Sequence, residues 1–591
     1  MKLEDHYFTL FERWGPAFSD VYIRDIADSL YCSERHAKTI IHRLQEKRWL
    51  TWQASTGRGK ASKLTFLLNK DQVYEEIIRD YIKGGDVSKA LLYMEEAPLQ
   101  QSLIDWVEAQ FKWTPSTHQA EGLDILSYPH YYPISTLNPM HTTSRHEGHI
   151  ADHVFNRLLR FDQESMSFQY ELAHAYNMEM SGRRWTFYLR KGIMFHDHTR
   201  LTAGVIKENI ELWKEDWAVG WFQSVLQAIE TIELVTEHTI TFHLDRPIYL
   251  FPHLFAGTKA NILPVASYLK DKQTFNRQPI GTGPYKIAEH RDGYLLLHVN
   301  QDYFGLRAQL DQIELYQIPK KDRVGHKQVR YRIIQDDTKH TVHYDWFDTE
   351  IGGTYLVVNR NKPGIHCHPE FPEMLSLALD REELFSHHPH YKVWYPDSFF
   401  KRPVEPLRQR PNKENARQWF KGNGFDGKTL TLTSTCLSHN AHLGYEMERI
   451  KQALEPLGLI IETKIVDINE LTNKDQMNQT DLIIAAGGMG EDRLMSFLYV
   501  LKNDKSFIYS TLPKDVQSYV DVQIEDIVTS TSSEEAYQKL RVLECFLMDQ
   551  HHIIYLYDRK THLHIEVDER LQGVTINRYN RLQYDKLWYK N

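Results

Sequence analysis

The chain has 591 residues, a net charge of −9, and 41% hydrophobic against 25% charged residues; at roughly 100–200 residues per domain this is too long for a single core. Its 33 Tyr, 26 Phe and 13 Trp provide enough apolar area to exclude extensive disorder. No run of about 18 apolar residues occurs, the first residues carry charges throughout without an apolar leader segment, and Cys32, Cys367, Cys436 and Cys545 form no CxxC pair, so the sequence predicts a cytoplasmic chain with no membrane contact, disulfide framework, structural zinc or cofactor.

Charge is unevenly spread. Residues 1–70 carry 12 Lys and Arg against 8 Asp and Glu, a net +4 that leaves −13 for the remainder. Residues 32–70 alone reach +7, with only Glu34 and Glu46 as acids. Such asymmetry points to a nucleic-acid surface.

In chain order, Leu3, Tyr7, Leu10, Phe11 and Trp14 have helical spacing, stopped by Gly15-Pro16. The pattern Ile23, Ile26, Ala27, Leu30 predicts a second helix capped by Ser19. After the turn Tyr31-Cys32, Ser33 caps a third helix with Ala37, Ile40, Ile41 and Leu44 on its apolar stripe. Two short helices joined by about three residues make a helix-turn-helix. Leu50, Trp52 and Ala54 alternate, Ser55 to Lys60 form a Gly-rich turn, and Leu64 and Phe66 alternate again, which predicts a hairpin wing. The expected DNA-contacting residues are Ser33, Arg35, His36, Lys38, Thr39, His42 and Arg43 on the third helix, with Arg58, Lys60 and Lys63 on the wing. The segment GRGKAS is no phosphate loop, because the first glycine that the motif needs ahead of the Gly-Lys pair is missing and Ala61 stands where a magnesium-binding hydroxyl is needed.

Residues 71–112 show helical periods broken at Gly84-Gly85 and Pro98, as in a packed connector. From there strands and helices intermix with frequent Gly and Pro, an α/β pattern of more than one lobe.

The phrases YYPISTLNP (131–139), HVFNRLLRFD (153–162), LAHAYNMEMSGRRWTFYLRKGIMFHDHTRLTAGVIKENI (172–210), PIGTGPYK (279–286), ALDREEL (378–384) and LQGVTINRYNRLQYDKLW (571–588) occur in order. Together they resemble the family 5 solute-binding proteins of ABC importers. With SLYCSERHAKTIIHRLQEKRWLTWQASTGRGKASKLTFL (29–67) ahead of them, the whole is similar to the SgrR-type transcriptional regulators. The resemblance implies a multidomain fold: a winged helix-turn-helix at 1–70, a helical connector at 71–112, and at 113–591 an α/β bilobed, periplasmic-binding-protein-like domain of type 2, family 5. It implies lobe crossings near Tyr316 to Lys320 and near 540–560. It further implies a one-component regulator whose partners are double-stranded DNA and a small solute of the sugar phosphate, sugar or oligopeptide class.

Candidate solute-binding residues are Tyr131 and Tyr132, whose rings suit a cleft, and Gly487, Gly488, Glu491 and Asp492. Peptide-binding relatives carry W-x-A-D-Y-P-D-P here, with a carboxylate that anchors the peptide amine. This chain has Ala485-Ala486-Gly487-Gly488-Met489-Gly490-Glu491-Asp492, so peptide recognition is in question and an arginine would be needed to offset the carboxylates for a phosphate ligand. Likewise FHDH replaces the usual FHDG, which places His198 where a turn favours glycine. Histidines cluster at His149 and His153, His196 and His198, His366 and His368, and His387, His388 and His390. Without a second matching ligand pair the expectation is solvated surface histidine rather than a metal site. No GxSxG elbow or partnered cysteine suggests an enzyme. The alternative reading is a solute- or nickel-binding protein whose basic N-terminal domain meets a protein partner.

Overall fold

The computed structural model describes residues 2–15, 19–55, 60–83, 87–97, 102–103, 106–107, 122–130, 134–142, 144–216, 220–317, 329–333, 341–349, 352–388, 392–395, 398–400, 411–436, 443–471, 473–503 and 507–590.

Helix α1 (Leu3–Trp14) ends where Gly15 donates its N–H to Phe11 O. Helices α2 (Ile23–Ser29) and α3 (Glu34–Glu46) follow, then strands β2 (Leu50–Gln53) and β3 (Ser62–Phe66) of the wing. The chain departs from expectation at Ser19, which caps no helix. Ser19–Val21 is a strand, β1, paired antiparallel to β3 through Ser19↔Leu64, Asp20↔Lys63 and Val21↔Ser62. The free edge of β3 satisfies these backbone groups in a ladder and buries Val21, so α2 starts later, after Tyr22, whose side chain makes no capping bond.

Tyr7, Leu10, Ile26, Ala27, Ile40, Ile41, Leu44, Leu64 and Phe66 form the core of this module. Helices α4 (Lys70–Lys83) and α5 (Val87–Glu96) add Val73, Ile77, Ile78, Ala90, Leu91 and Met94 to the same cluster. Trp49 Nε1 donates to Glu76 Oε2 at 3.0 Å, tying α4 to the wing's base.

The first lobe holds two four-stranded sheets. One has the order β11 (Tyr285–Arg291), β12 (Tyr294–Val299), β13 (Gln312–Gln317), β4 (Ile125–His130), with β4 parallel to β13. The other runs β7 (Ala173–Glu179), β8 (Arg184–Leu189), β10 (Thr239–Leu244), β9 (Ile229–Thr236). Helix α6 (Arg145–Val154) and the hairpin of β5 (Leu159–Asp162) and β6 (Ser167–Tyr170) complete what the site uses. The corner at Pro279 to Tyr285 needs its glycines, since a Cβ on Gly281 or Gly283 would lie 2.0 Å from Val154 O or 2.4 Å from His153 O.

The second lobe is one eight-stranded sheet. Its main path is β14 (Val329–Ile333), β21 (Ile554–Asp568), β16 (Gly352–Val358), β20 (Leu482–Gly488), β18 (Thr429–Cys436), β19 (Ile460–Asp467). Strands β15 (Thr341–Thr349) and β17 (Lys392–Trp394) also pair with β21. The first crossing leaves the first lobe at Gln317, as expected, and 318–328 lie outside the described residues. The second is not at 540–560. There the chain is still in the second lobe, because the 15-residue β21 continues to Asp568, and it returns to the first lobe at Leu571, where β22 (Leu571–Gln572) pairs with β23 (Trp588–Tyr589).

Candidate DNA surface and interlobe site

Ser33 Oγ accepts the N–H of His36 at 3.3 Å, which fixes the start of α3. Ala37, Ile40, Ile41 and Leu44 are buried, so Arg35, His36, Lys38, Thr39, His42 and Arg43 are turned to solvent, all exposed. Thr39 donates its hydroxyl to Arg35 O at 3.2 Å, and His42 Nδ1 lies 3.2 Å from Glu46 Oε1. In the wing the Ser55 hydroxyl donates to Lys60 O at 3.0 Å, and Lys60 and Lys63 are exposed. Arg58 lies outside the described residues. Tyr31, in the turn before α3, is 94% exposed with φ 51°; sequence reasoning read it only as turn, although an apolar ring with nothing to cover it was the available signal.

This module rests on the first lobe at a defined place. A Leu91 methyl of α5 lies 3.6 Å from where Gly293 would carry a Cβ, and Tyr316 packs against the winged-helix core; within the first lobe Gln317 donates its N–H to Gly293 O at 2.8 Å, which sets Gly293 beside the end of β13. The contact therefore sits on the last residues of β13, immediately before the chain crosses between lobes. Tyr131 and Tyr132 lie outside the described residues. Their neighbours His130, Ile134 and Ser135, with Arg277, His290 and Gln317, line a cavity of about 320 Å³ at this same end of β4 and β13.

Gly487 and Gly488 end β20 and pair with Gly353 and Gly352 of β16, an approach close enough that a Cβ on Gly352 would fall 2.1 Å from Gly487 O. Asp492 caps helix α7 (Arg493–Leu501), its Oδ1 accepting the Met495 N–H at 3.1 Å. Asp492 Oδ2 lies 2.5 Å from Nδ1 of His253 in the first lobe, and His253 Nε2 lies 3.0 Å from Ser533 Oγ at the start of helix α8 (Ser533–Asp549). Glu491 bonds Arg578 and lies 3.5 Å from Arg160 and 4.0 Å from Arg157, all three in the first lobe. Asp152 pairs with Arg578 and with Arg157 at 3.7 Å, and Glu171 pairs with Arg160 at 2.8 Å. Both predicted carboxylates thus lie at the lobe interface, each already engaged by a cation or imidazole of the chain.

The electrostatics follow from burial. Burial opposes the charge of Asp152, but Arg578, Arg157 and Arg160 outweigh it and lower its pKa. Burial also opposes the charge of Arg160, and Glu171, Asp152 and Glu491 together raise its pKa. Arg157 goes the other way: burial, then the neighbouring Arg578 and Arg160, lower its pKa. The sequence signal for these residues was available in HVFNRLLRFD and VTINRYN, where arginines interrupt apolar runs.

The histidine expectation is corrected at four positions. His149, His153, His366 and His388 are buried, not surface groups, because each has a polar partner in the interior. His153 donates from Nδ1 to His149 O at 2.9 Å and accepts the Tyr584 N–H on Nε2 at 3.1 Å, which fixes a neutral tautomer. His149 faces Asn577, His388 faces Glu446, and His366 faces Lys362 O. His198 has φ 64°, the left-handed turn that its place in FHDH requires. Among the described residues no three His, Cys, Asp or Glu side chains are placed to hold a metal ion.

A two-lobed α/β receptor with a winged-helix module on its first lobe defines a class, and comparison with known proteins specifies it. The family "Bacterial extracellular solute-binding proteins, family 5" matches residues 167–507, and the chain belongs to it. The domain described as "Sugar transport-related sRNA regulator N-term" matches residues 2–112. Similar over full length are the uncharacterized protein YhjP of Bacillus subtilis, 24% identical and covering all of both chains, and the HTH-type transcriptional regulator SgrR of Yersinia enterocolitica, 23% identical, covering all of this chain and 98% of that one. SgrR of Salmonella typhi is 28% identical over 67% of this chain and 68% of its own. Among solved structures, a dipeptide-binding protein of Pseudoalteromonas sp. SM9913 in complex with Met-Leu aligns at a TM-score of 0.64 with 18% identity, over 79% of this chain and all of that one. NikA of Brucella suis in complex with Fe(III)-EDTA aligns at 0.64 with 15% identity and the same coverage. No helix among the described residues is long and apolar enough to cross a membrane.

Proposed function

We propose that the protein is a cytoplasmic, ligand-responsive transcriptional regulator: the winged helix at 1–70 binds double-stranded DNA, the connector at 71–112 joins it to the receptor, and the bilobed domain at 113–591 senses a small metabolite of the sugar phosphate, sugar or oligopeptide class. Its targets are transporter or metabolic-stress genes. The observation that carries this reading is the seat of α5 on Gly293 and Tyr316, at the end of the strand that leads into the lobe crossing. Hinge motion between lobes acts on element ends of this kind, and a coupling of about 1–3 kcal/mol would change DNA affinity some 5- to 150-fold. The SgrR relatives support the same assignment.

The binding surface on DNA is the outer face of α3, where Arg35 and Thr39 read bases, with Lys60 and Lys63 of the wing on phosphates. Fluorescence anisotropy of the full chain with operator and random duplexes tests this. Affinity is expected to fall steeply with salt, and Arg35→Ala is expected to cost ~1–3 kcal/mol on the operator and little on random DNA. An affinity indifferent to salt would leave the basic module to a protein partner instead.

A further inference from the structure

Arg157 is a buried cation with donors left over. Its side chain is 1% exposed, one terminal nitrogen donates to Ala256 O at 2.6 Å, and its Nε and other terminal nitrogen have no hydrogen-bond partner among the described residues. That second nitrogen stands 3.7 Å from Asp152 and 4.0 Å from Glu491, beyond hydrogen-bonding range. Arg578 Nε is likewise without a partner. Buried guanidinium donors left unmet are costly, so the arrangement has room for a better acceptor than it now contains.

The charges indicate what that acceptor is. Among the described residues of this cluster, the first lobe supplies three guanidiniums, Arg157, Arg160 and Arg578, and two carboxylates, Asp152 and Glu171. The third carboxylate, Glu491, comes from the second lobe and is 29% exposed. When the lobes separate, the first lobe therefore presents one uncompensated positive charge on planar forks, the geometry that binds carboxylate or phosphate through two bonds at once. Glu491 bonds only Arg578 closely and stands off the other two, an incomplete fit for the cradle.

We propose that Arg157, Arg160 and Arg578 form an anion-recognition site for a phosphate or carboxylate group of the solute, and that Glu491 is an in-chain competitor which the solute displaces. Glu491 then does the opposite of the amine-anchoring carboxylate that its position suggested. It neutralises the cradle while no solute is present. The lobes keep an independent contact when it leaves, because Asp492 with His253 and Ser533 bridges them separately. The inference rests on the receptor reading above for the claim that a solute enters between the lobes.

The test uses the full chain, with inorganic phosphate and acetate titrated separately at constant ionic strength and followed by calorimetry. Glu491→Gln keeps the side-chain shape and removes the competing charge, and phosphate is expected to bind it about tenfold tighter than the parent, the effect of one close ion pair. Arg578→Ala in the Glu491→Gln background is expected to abolish that gain. Arg578→Lys, which keeps charge but loses the fork, is expected to weaken it and serves where the alanine variant does not fold. Equal phosphate affinity in parent and Glu491→Gln, or a gain that survives loss of Arg578, overturns the site. Tighter acetate than phosphate identifies a carboxylate ligand, and the reverse a phosphate. Anisotropy with DNA in the same samples separates the two proposals: phosphate binding as expected with DNA affinity unchanged sinks ligand control of DNA binding and leaves the anion site standing.

Discussion

Single residues decide both ends of this molecule by satisfying backbone and charge. At α3 the Ser33 hydroxyl holds the His36 N–H, one of the donors that the first turn of a helix leaves open. Ser33→Ala is expected to cost about 1 kcal/mol, read as a lower unfolding midpoint, and to weaken operator binding because the exposed basic residues follow directly on that turn. An unchanged midpoint would mean that the cap carries no stability. In the receptor, Asp492 combines two such tasks, capping α7 and meeting His253 across the lobes. The sequence named Glu491 and Asp492 because they stand where relatives have a ligand carboxylate. It did not reveal their partners, because Arg157, Arg160 and His253 are more than two hundred residues away along the chain, Arg578 is 87 away from Glu491, and only folding brings them together.

At the scale of elements, the helix-turn-helix was legible because its apolar residues repeat at helical spacing within about forty positions. The strand β1 was not. Three residues without alternation carry no periodic signal, and Ser19 reads as a cap until β3 is known to offer it an edge. The connector behaves similarly: α4 and α5 have clear helical periods, yet their place in the winged-helix core depends on contacts such as Trp49 with Glu76 that no spacing encodes. Helix α5 makes the mechanical link testable. Tyr316→Ala takes away the first-lobe ring that packs on the winged-helix core beside α5 and should loosen the seat of the DNA module while leaving that core's own side chains in place. The expected outcome is a protein that still binds DNA and still binds its solute, with solute no longer altering DNA affinity. Retained coupling in this variant would exclude this seat as the route between the modules.

For the whole molecule, the two-lobed architecture was legible from the order of phrases across the chain, while the second crossing was misplaced because nothing in the sequence marks where a long strand such as β21 ends. The buried histidines give the assembled fold a pH dependence of definite sign. Burial, the largest cause, pushes the pKa of His149 well down, and burial lowers that of His153 despite the nearby Asp585. Burial likewise brings His196 and His552 down to about 4 and lowers His366 and His290. In the unfolded chain each titrates near pH 6.5. Above that pH both states are neutral at these sites and the full stability is present. As pH falls below about 6.5 the unfolded state takes up protons that the folded state refuses, so stability declines, by up to about 1.4 kcal/mol per pH unit for each fully buried histidine, until the folded pKa is reached. His149 and His153 hold the C-terminal segment through Asn577 and Tyr584, and that segment carries Arg578 into the interlobe cluster. Urea unfolding between pH 7.5 and about 4.5 is therefore expected to show a steady loss of stability. His153→Gln, which has no proton to gain, should flatten part of the slope. A slope identical in the variant would place the pH sensitivity outside this pair.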